Sequence, residues 1–159
     1  LANLWLSKID VDLKEEMLLP ALLQETGKFV LADIILSEKK SDLFKSKIDA
    51  GEAVESVEKE LIGSTTSQIT AQIFRHWKLS DNLINMIENV DDVSKASENY
   101  KRKSQILDVI KTACNINDPL SDISIEKALN KAATYGFDTS ILKNAIQALQ
   151  DRLLNEETI

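Results

Sequence analysis

Leu18–Lys28 reads LLPALLQETGK, and the way this stretch is parsed decides the rest of the chain. Leu13, Met17, Leu18, Ala21 and Leu22 recur at i, i+4, i+8 spacing, the mark of an amphipathic helix. Asp10 or Asp12 is placed to cap it, and Glu15 and Glu16 fall in the first turns, where the helix dipole favours acids. Pro20 inside the run predicts a kink or a fresh helix start. Gly27 is placed to end the helix in a left-handed conformation. Gln24 and Glu25 are the polar residues just before that break, so the segment is a candidate site as well as a structural element.

The stretch that follows, Phe29–Leu36 (FVLADIIL), would suit a buried strand taken alone. No second strand candidate exists to pair with it, so it is read as helix. The same reading extends along the chain. Ser41-Asp42 starts a helix running to Ile48, and Ala50-Gly51 breaks it. Glu52–Ile62 carries Ala53, Val57 and Leu61 on one stripe and stops at Gly63. Ser64-Thr65-Thr66 caps a helix with Ile69, Ile73 and Phe74 that runs to Trp77, and Ser80 caps Asp81–Asn89. A long helix is predicted over Val93–Ile116, a turn at Asn117-Asp118-Pro119, and a helix over Ser124–Tyr135 closed by Gly136. The last helix covers Thr139–Asn155. The expectation is an all-α, single-domain chain of seven to ten helices.

Composition agrees and narrows the function. In 159 residues there are only 4 Gly and 2 Pro, too few for the turns of an all-β protein. The formal net charge is −7, with acidic residues spread along the chain, which disfavours a binder that tracks nucleic-acid phosphates. Lys101-Arg102-Lys103 is the nearest basic run and reads as a solvated helix face. Apolar runs fall short of a membrane span, and the start lacks a basic leader, so a cytoplasmic location is the default expectation. Cys114 is single and reads as a small core hydrophobe, with no disulfide and no cysteine metal cluster. His76, the single histidine, ends a helix and reads as a C-terminal cap rather than a metal ligand. No phosphate loop or nucleophile elbow occurs. Glu58, Glu60, Asp91 and Asp92 read as surface charges or caps.

One ordered set of motifs rises above that background. LLPALLQETGKFVLADIIL followed by VEKELIGSTTSQITAQIFRHWKLSDNLINMIENVDD resembles the HDOD domain, a non-catalytic relative of HD-superfamily phosphohydrolases. Leu22-Leu23, Gly27-Lys28, Glu58, Gly63, Trp77 and Leu79 match its pattern over about residues 13–92, with 93–155 as a helical C-terminal part. Gln24 and Glu25 replace its histidine-aspartate pair, Thr66 replaces a histidine, Ser80 a proline, and Val90-Asp91 stand where paired histidines would be. The resemblance also implies a further helical half before the first block, and the start at Leu1 rather than methionine fits a piece of a longer chain.

In the catalytic relatives those histidines and aspartates hold divalent metal that activates water. Glutamine and threonine are poor ligands for such metals and valine is none, so neither metal, cofactor nor catalytic residue is expected. Gln24, Glu25, Thr66, Val90 and Asp91 are the vestigial positions, a candidate pocket for ligand or partner. The resemblance implies a regulatory or protein-interaction domain of bacterial signal transduction with an unidentified signalling partner, no nucleic acid and no membrane. Homo-oligomerisation is left open. The alternatives are a nucleotide-type sensor in the vacated pocket and a residual metal-dependent phosphohydrolase. Gly27 and Trp77 are expected to serve the core.

Overall fold

The computed structural model describes residues 1–156. Among them are ten α-helices, one 3₁₀ helix and no strand, so the chain is all-α. The helices are α1 (Ala2–Leu6), α2 (Val11–Leu23), α3 (Gly27–Ser37), α4 (Ser41–Asp49), α5 (Val54–Ile62), α6 (Thr66–His76), α7 (Asp81–Ile87), α8 (Glu98–Ala113), α9 (Asp122–Thr134) and α10 (Thr139–Glu156). The 3₁₀ helix is Val90–Lys95. No helix of the described residues is long and apolar enough to cross a membrane.

The chain forms two units. The first comprises Leu1–Ala21 and Gln105–Ile159. Its core holds Trp5, Leu6, Met17, Ile106, Leu107, Ala128, Ala132, Leu142 and Ile146. The Trp5 ring meets Phe137 edge-on, with centroids 5.2 Å apart, a favoured aromatic geometry. The Asp108 carboxylate joins α8 to α9, accepting from Lys131 Nζ at 2.6 Å and from the Tyr135 hydroxyl at 2.7 Å. Burial and that carboxylate push the Tyr135 phenol well above its ordinary range. Asp10 caps α2 through the N–H groups of Asp12 and Leu13, and Asp138 does the same for α10 through Ser140 and Ile141.

The second unit, Leu22–Ser104, carries the motif-bearing helices. The α3 helix packs along α6, with Leu31 and Ile35 against Ile69 and with Phe44, Ile62 and Ile73 closing the cluster. Phe74, Leu83, Met86, Ile87 and Val57 are buried in the same unit. Local chemistry sets the helix ends as the sequence suggests. Gly63 (φ +79°) ends α5, Thr65 and Gln68 form a capping box on α6, and Ser80 accepts from the Leu83 N–H to cap α7.

Several expectations need correction. Gly27 does not end a helix in the left-handed region; it is the first, buried residue of α3. Of the two outcomes expected at Pro20, a fresh helix start does not occur, since α2 continues through the buried proline. The predicted Val93–Ile116 helix is two elements, because Ala96 is extended (ψ 137°) between the 3₁₀ helix and α8. The cap of α9 is Ser121, whose hydroxyl accepts from the Ser124 N–H. Cys114 is exposed past the end of α8 rather than in the core. Leu22 is 77% exposed and Trp77 59%, so neither fills the core; Phe74, one turn back, takes the buried place, and Trp77 stacks on it from outside at 6.2 Å.

Candidate functional site

Of the five candidate pocket positions, Thr66 and Asp91 meet at the first turn of α6, and the Gln24 carbonyl reaches Thr70 one turn further on. A helix N-terminus presents unsatisfied N–H groups that attract anions, and here the protein supplies the acceptors itself. The Thr66 N–H and its hydroxyl each donate to Glu58, at 2.7 Å to separate carboxylate oxygens. The Ser67 N–H (3.0 Å) and hydroxyl (2.6 Å) both donate to Asp91. The Gln68 N–H donates to Thr65 Oγ1, and the Ile69 N–H to the Thr65 carbonyl. All four leading donors are therefore satisfied, two of them by carboxylates.

Glu58 is 1% exposed, so it is no surface charge. A carboxylate at that depth is tolerable only with donors on both oxygens, and the Thr66 hydroxyl is one of them. That gives threonine a structural use at position 66.

One turn further, Thr70 fixes the approach of α3. Its hydroxyl oxygen accepts from the Gly27 N–H at 2.8 Å, and its proton lies within reach of the Thr66 carbonyl (2.8 Å) and the Gln24 carbonyl (3.0 Å). Gly27 is required by space. A Cβ there would stand 2.5 Å from the Thr66 carbonyl oxygen and 2.7 Å from Thr70 N and Oγ1. Only glycine admits such backbone contact.

The structure thus brings Gln24, Thr66 and Asp91 around one helix end, with Glu58, Ser67 and Thr70 completing the network. Val90 is buried beside Asp91 in sequence, as an apolar core residue. Glu25 pairs with Lys28 at 2.6 Å. Sequence reasoning missed the part played by Thr70 and Ser67. The available signal was their position on α6, Thr70 four residues from Thr66 on the same face.

Beside this network lies an open cleft of about 480 Å³, reached by Lys59, Ser67, Glu88, Asp91, Asp92 and Lys95. Its charges are largely matched within the protein. Asp92 pairs with Lys95 at 2.7 Å, which holds its carboxyl below the usual range, and Glu88 pairs with Arg75 at 2.6 Å. Among the described residues no group of three or more His, Cys, Asp or Glu side chains is arranged to hold a metal ion. The donors at the α6 end are oxygens already engaged by N–H and O–H groups, a poor set for a metal that prefers imidazole.

The chain is thus all-helical, with α3 and α6 in close contact at Gly27 and the first turn of α6 held by two carboxylates. The family model for the HDOD domain matches residues 1–93, and the chain belongs to that family. The match begins before the motif-bearing part read from sequence, at Leu1 rather than near Leu13. Among solved structures it is similar to a virulence factor from Campylobacter jejuni subsp. jejuni, with a TM-score of 0.67 and 21% identity. That alignment covers 91% of this chain and 56% of the virulence factor, so the chain spans little more than half of that protein's length. The likeness is one of fold. No curated protein matches the sequence.

Proposed function

We propose that the chain is a non-catalytic regulatory or protein-interaction domain of bacterial signal transduction, working in the cytoplasm through a partner protein. The observation that carries this reading is the use made of the former ligand positions. Thr66 completes a buried carboxylate cap, Asp91 holds the Ser67 N–H, and Val90 is core. Groups committed to holding helices together are not available to bind metal and activate water. The test is a phosphodiesterase assay with Mn²⁺, Mg²⁺ and other divalent ions on model phosphodiesters, paired with capture of partners from the native host. Metal-dependent hydrolysis abolished by Glu25→Ala would sink the reading.

A small-ligand sensor is the second reading, and the 480 Å³ cleft is the observation in its favour. Its chemistry disfavours polyphosphates. The α6 N–H groups that would receive a phosphate already face Glu58 and Asp91. A thermal-shift screen with nucleotides and cyclic dinucleotides tests it, and no shift with any of them removes its support.

A further inference from the structure

The α3 helix is apolar on both sides. Leu31 and Ile35 face the core, yet Phe29 is 79% exposed, and Val30 and Leu36 are exposed as well. The exposed Asp33 lies on the same helix, so the outward side is an apolar patch beside an acid, and exposed apolar patches mark interaction sites. Beside Phe29 runs an apolar groove of about 510 Å³, walled by Phe29 and Val30 of α3 and by Ile69, Ile73, His76 and Trp77 on and after α6. Among the described residues no carboxylate or ammonium group lines it.

We infer that this face is a self-association surface, and that its occupant is the same face of a second copy of the chain. Three observations select that occupant. First, a two-fold interface must be self-complementary. This patch carries both a projecting ring, Phe29, and next to it an apolar groove large enough to receive one. Second, a chain of net charge −7 repels its own copies. The lining of the groove holds no carboxylate, which lets two copies meet there with the exposed Asp33 of α3 kept at the rim.

Third, the area is sufficient. Phe29 and Trp77 together expose on the order of 300 Å², already the size of a functional apolar patch. With Val30 and with Leu36 beyond the groove the face offers at most roughly 500 Å² per copy, so two copies that cover it fully bury about 1,000 Å² in all, the lower bound of a specific interface. The result is a weak, reversible dimer.

This inference deepens the interaction reading by naming one partner, and the two fail separately. Sedimentation velocity over a wide range of concentration, on the chain as it stands and on Phe29→Asp, is the decisive measurement. The expected result is a concentration-dependent shift from monomer to dimer that Phe29→Asp abolishes. Circular dichroism should be unchanged, since the ring makes little of the core. Trp77→Ser, at the opposite wall, should weaken the dimer at least tenfold. A monomer at every concentration, or a dimer indifferent to Phe29→Asp, overturns the inference. If a monomeric chain instead captures a different protein through Phe29, self-association is overturned while the interaction reading stands. A Phe29-dependent dimer in a chain with metal-dependent hydrolase activity upholds the inference and overturns that reading.

Discussion

Replacing Gly27 by alanine should destabilise the second unit by about 2–4 kcal/mol, although on general grounds the change favours a helix. Gly27 has no left-handed backbone to protect, so alanine would bring a gain of about 0.5–1 kcal/mol in helix propensity. Against this stands the new methyl, 2.5 Å from the Thr66 carbonyl oxygen, where ordinary contact begins at 3.4 Å. The α3 and α6 backbones would have to part by about 0.9 Å, the difference of those two distances. Such overpacking costs about 1–3 kcal/mol. The same movement stretches the buried Gly27 N–H···Thr70 bond, now 2.8 Å, and an abandoned buried donor costs about 1–3 kcal/mol more.

Urea unfolding followed by far-ultraviolet circular dichroism measures the difference, with Gly63 as the control. Gly63 has φ +79°, and a methyl added to it would meet nothing within 4 Å, so its requirement is conformational alone. Asparagine, which tolerates the left-handed region, should therefore rescue Gly63 relative to alanine. At Gly27 asparagine should be worse than alanine. A Gly27→Ala variant within about 0.5 kcal/mol of the parent, the scale of ordinary surface substitutions, or the same ranking of Ala and Asn at both glycines, would refute the steric argument.

Other outcomes follow from the same structure. Glu58→Ala leaves the Thr66 N–H and hydroxyl without acceptors and should cost about 2–4 kcal/mol, read by thermal or urea unfolding, whereas Asp91→Ala, at a more open cap, should cost only about 0.5–2 kcal/mol. Phe74→Ala should cost about 3–5 kcal/mol as a core truncation, while Trp77→Ala in the monomer should cost far less, because its ring is largely in water. The Tyr135 phenol is raised above its ordinary 10.0 by burial and by Asp108. Its contribution is complete below the unfolded value and is lost as pH rises beyond it, where the unfolded chain ionises first. Tyr135→Phe should flatten the alkaline limb of stability against pH. Asp138 is depressed by the Ser140 hydroxyl and the N–H groups of Ser140 and Ile141, so the sign reverses. Its contribution is present above the ordinary carboxylate range and lost as pH falls through the folded value, and Asp138→Asn should flatten the acid limb.

The parts of the fold that were legible are those fixed by neighbours in sequence. Thr65 with Gln68, Ser80 before Asp81, and Gly63 after Ile62 each carry their helix boundary within three residues. Phe29–Leu36 was legible only by elimination, since its composition suits either strand or helix. The break at Ala96 was hidden because no glycine or proline marks it; the one local signal was Ser97, whose carbonyl receives the Tyr100 and Lys101 N–H groups. Trp77 and Phe74 sit one turn apart, and spacing does not say which ring enters the core. The sequence offers the candidate site as separate positions and not as a network. Glu58 looks like any helix-surface acid until the Thr66 N–H, eight residues on, is folded against it. The need for a glycine at position 27 is visible in sequence but its reason is not, because a close approach between α3 and α6 leaves no trace in either helix alone.

The two tryptophans divide cleanly between the units. Trp5 is fully buried in the first unit, and Trp77 stands largely in solvent on the second. Each unit therefore carries its own intrinsic fluorophore in an opposite environment, a short-wavelength emitter and a long-wavelength one. During denaturation the Trp5 signal should shift to the red as its core opens, while Trp77 starts near its final colour. The protein is thus equipped, without any label, to report whether its two units melt as one cooperative body. Coincidence of the emission shift with the loss of helical dichroism would mark a single transition, and separation of the two would mark a chain that comes apart in stages.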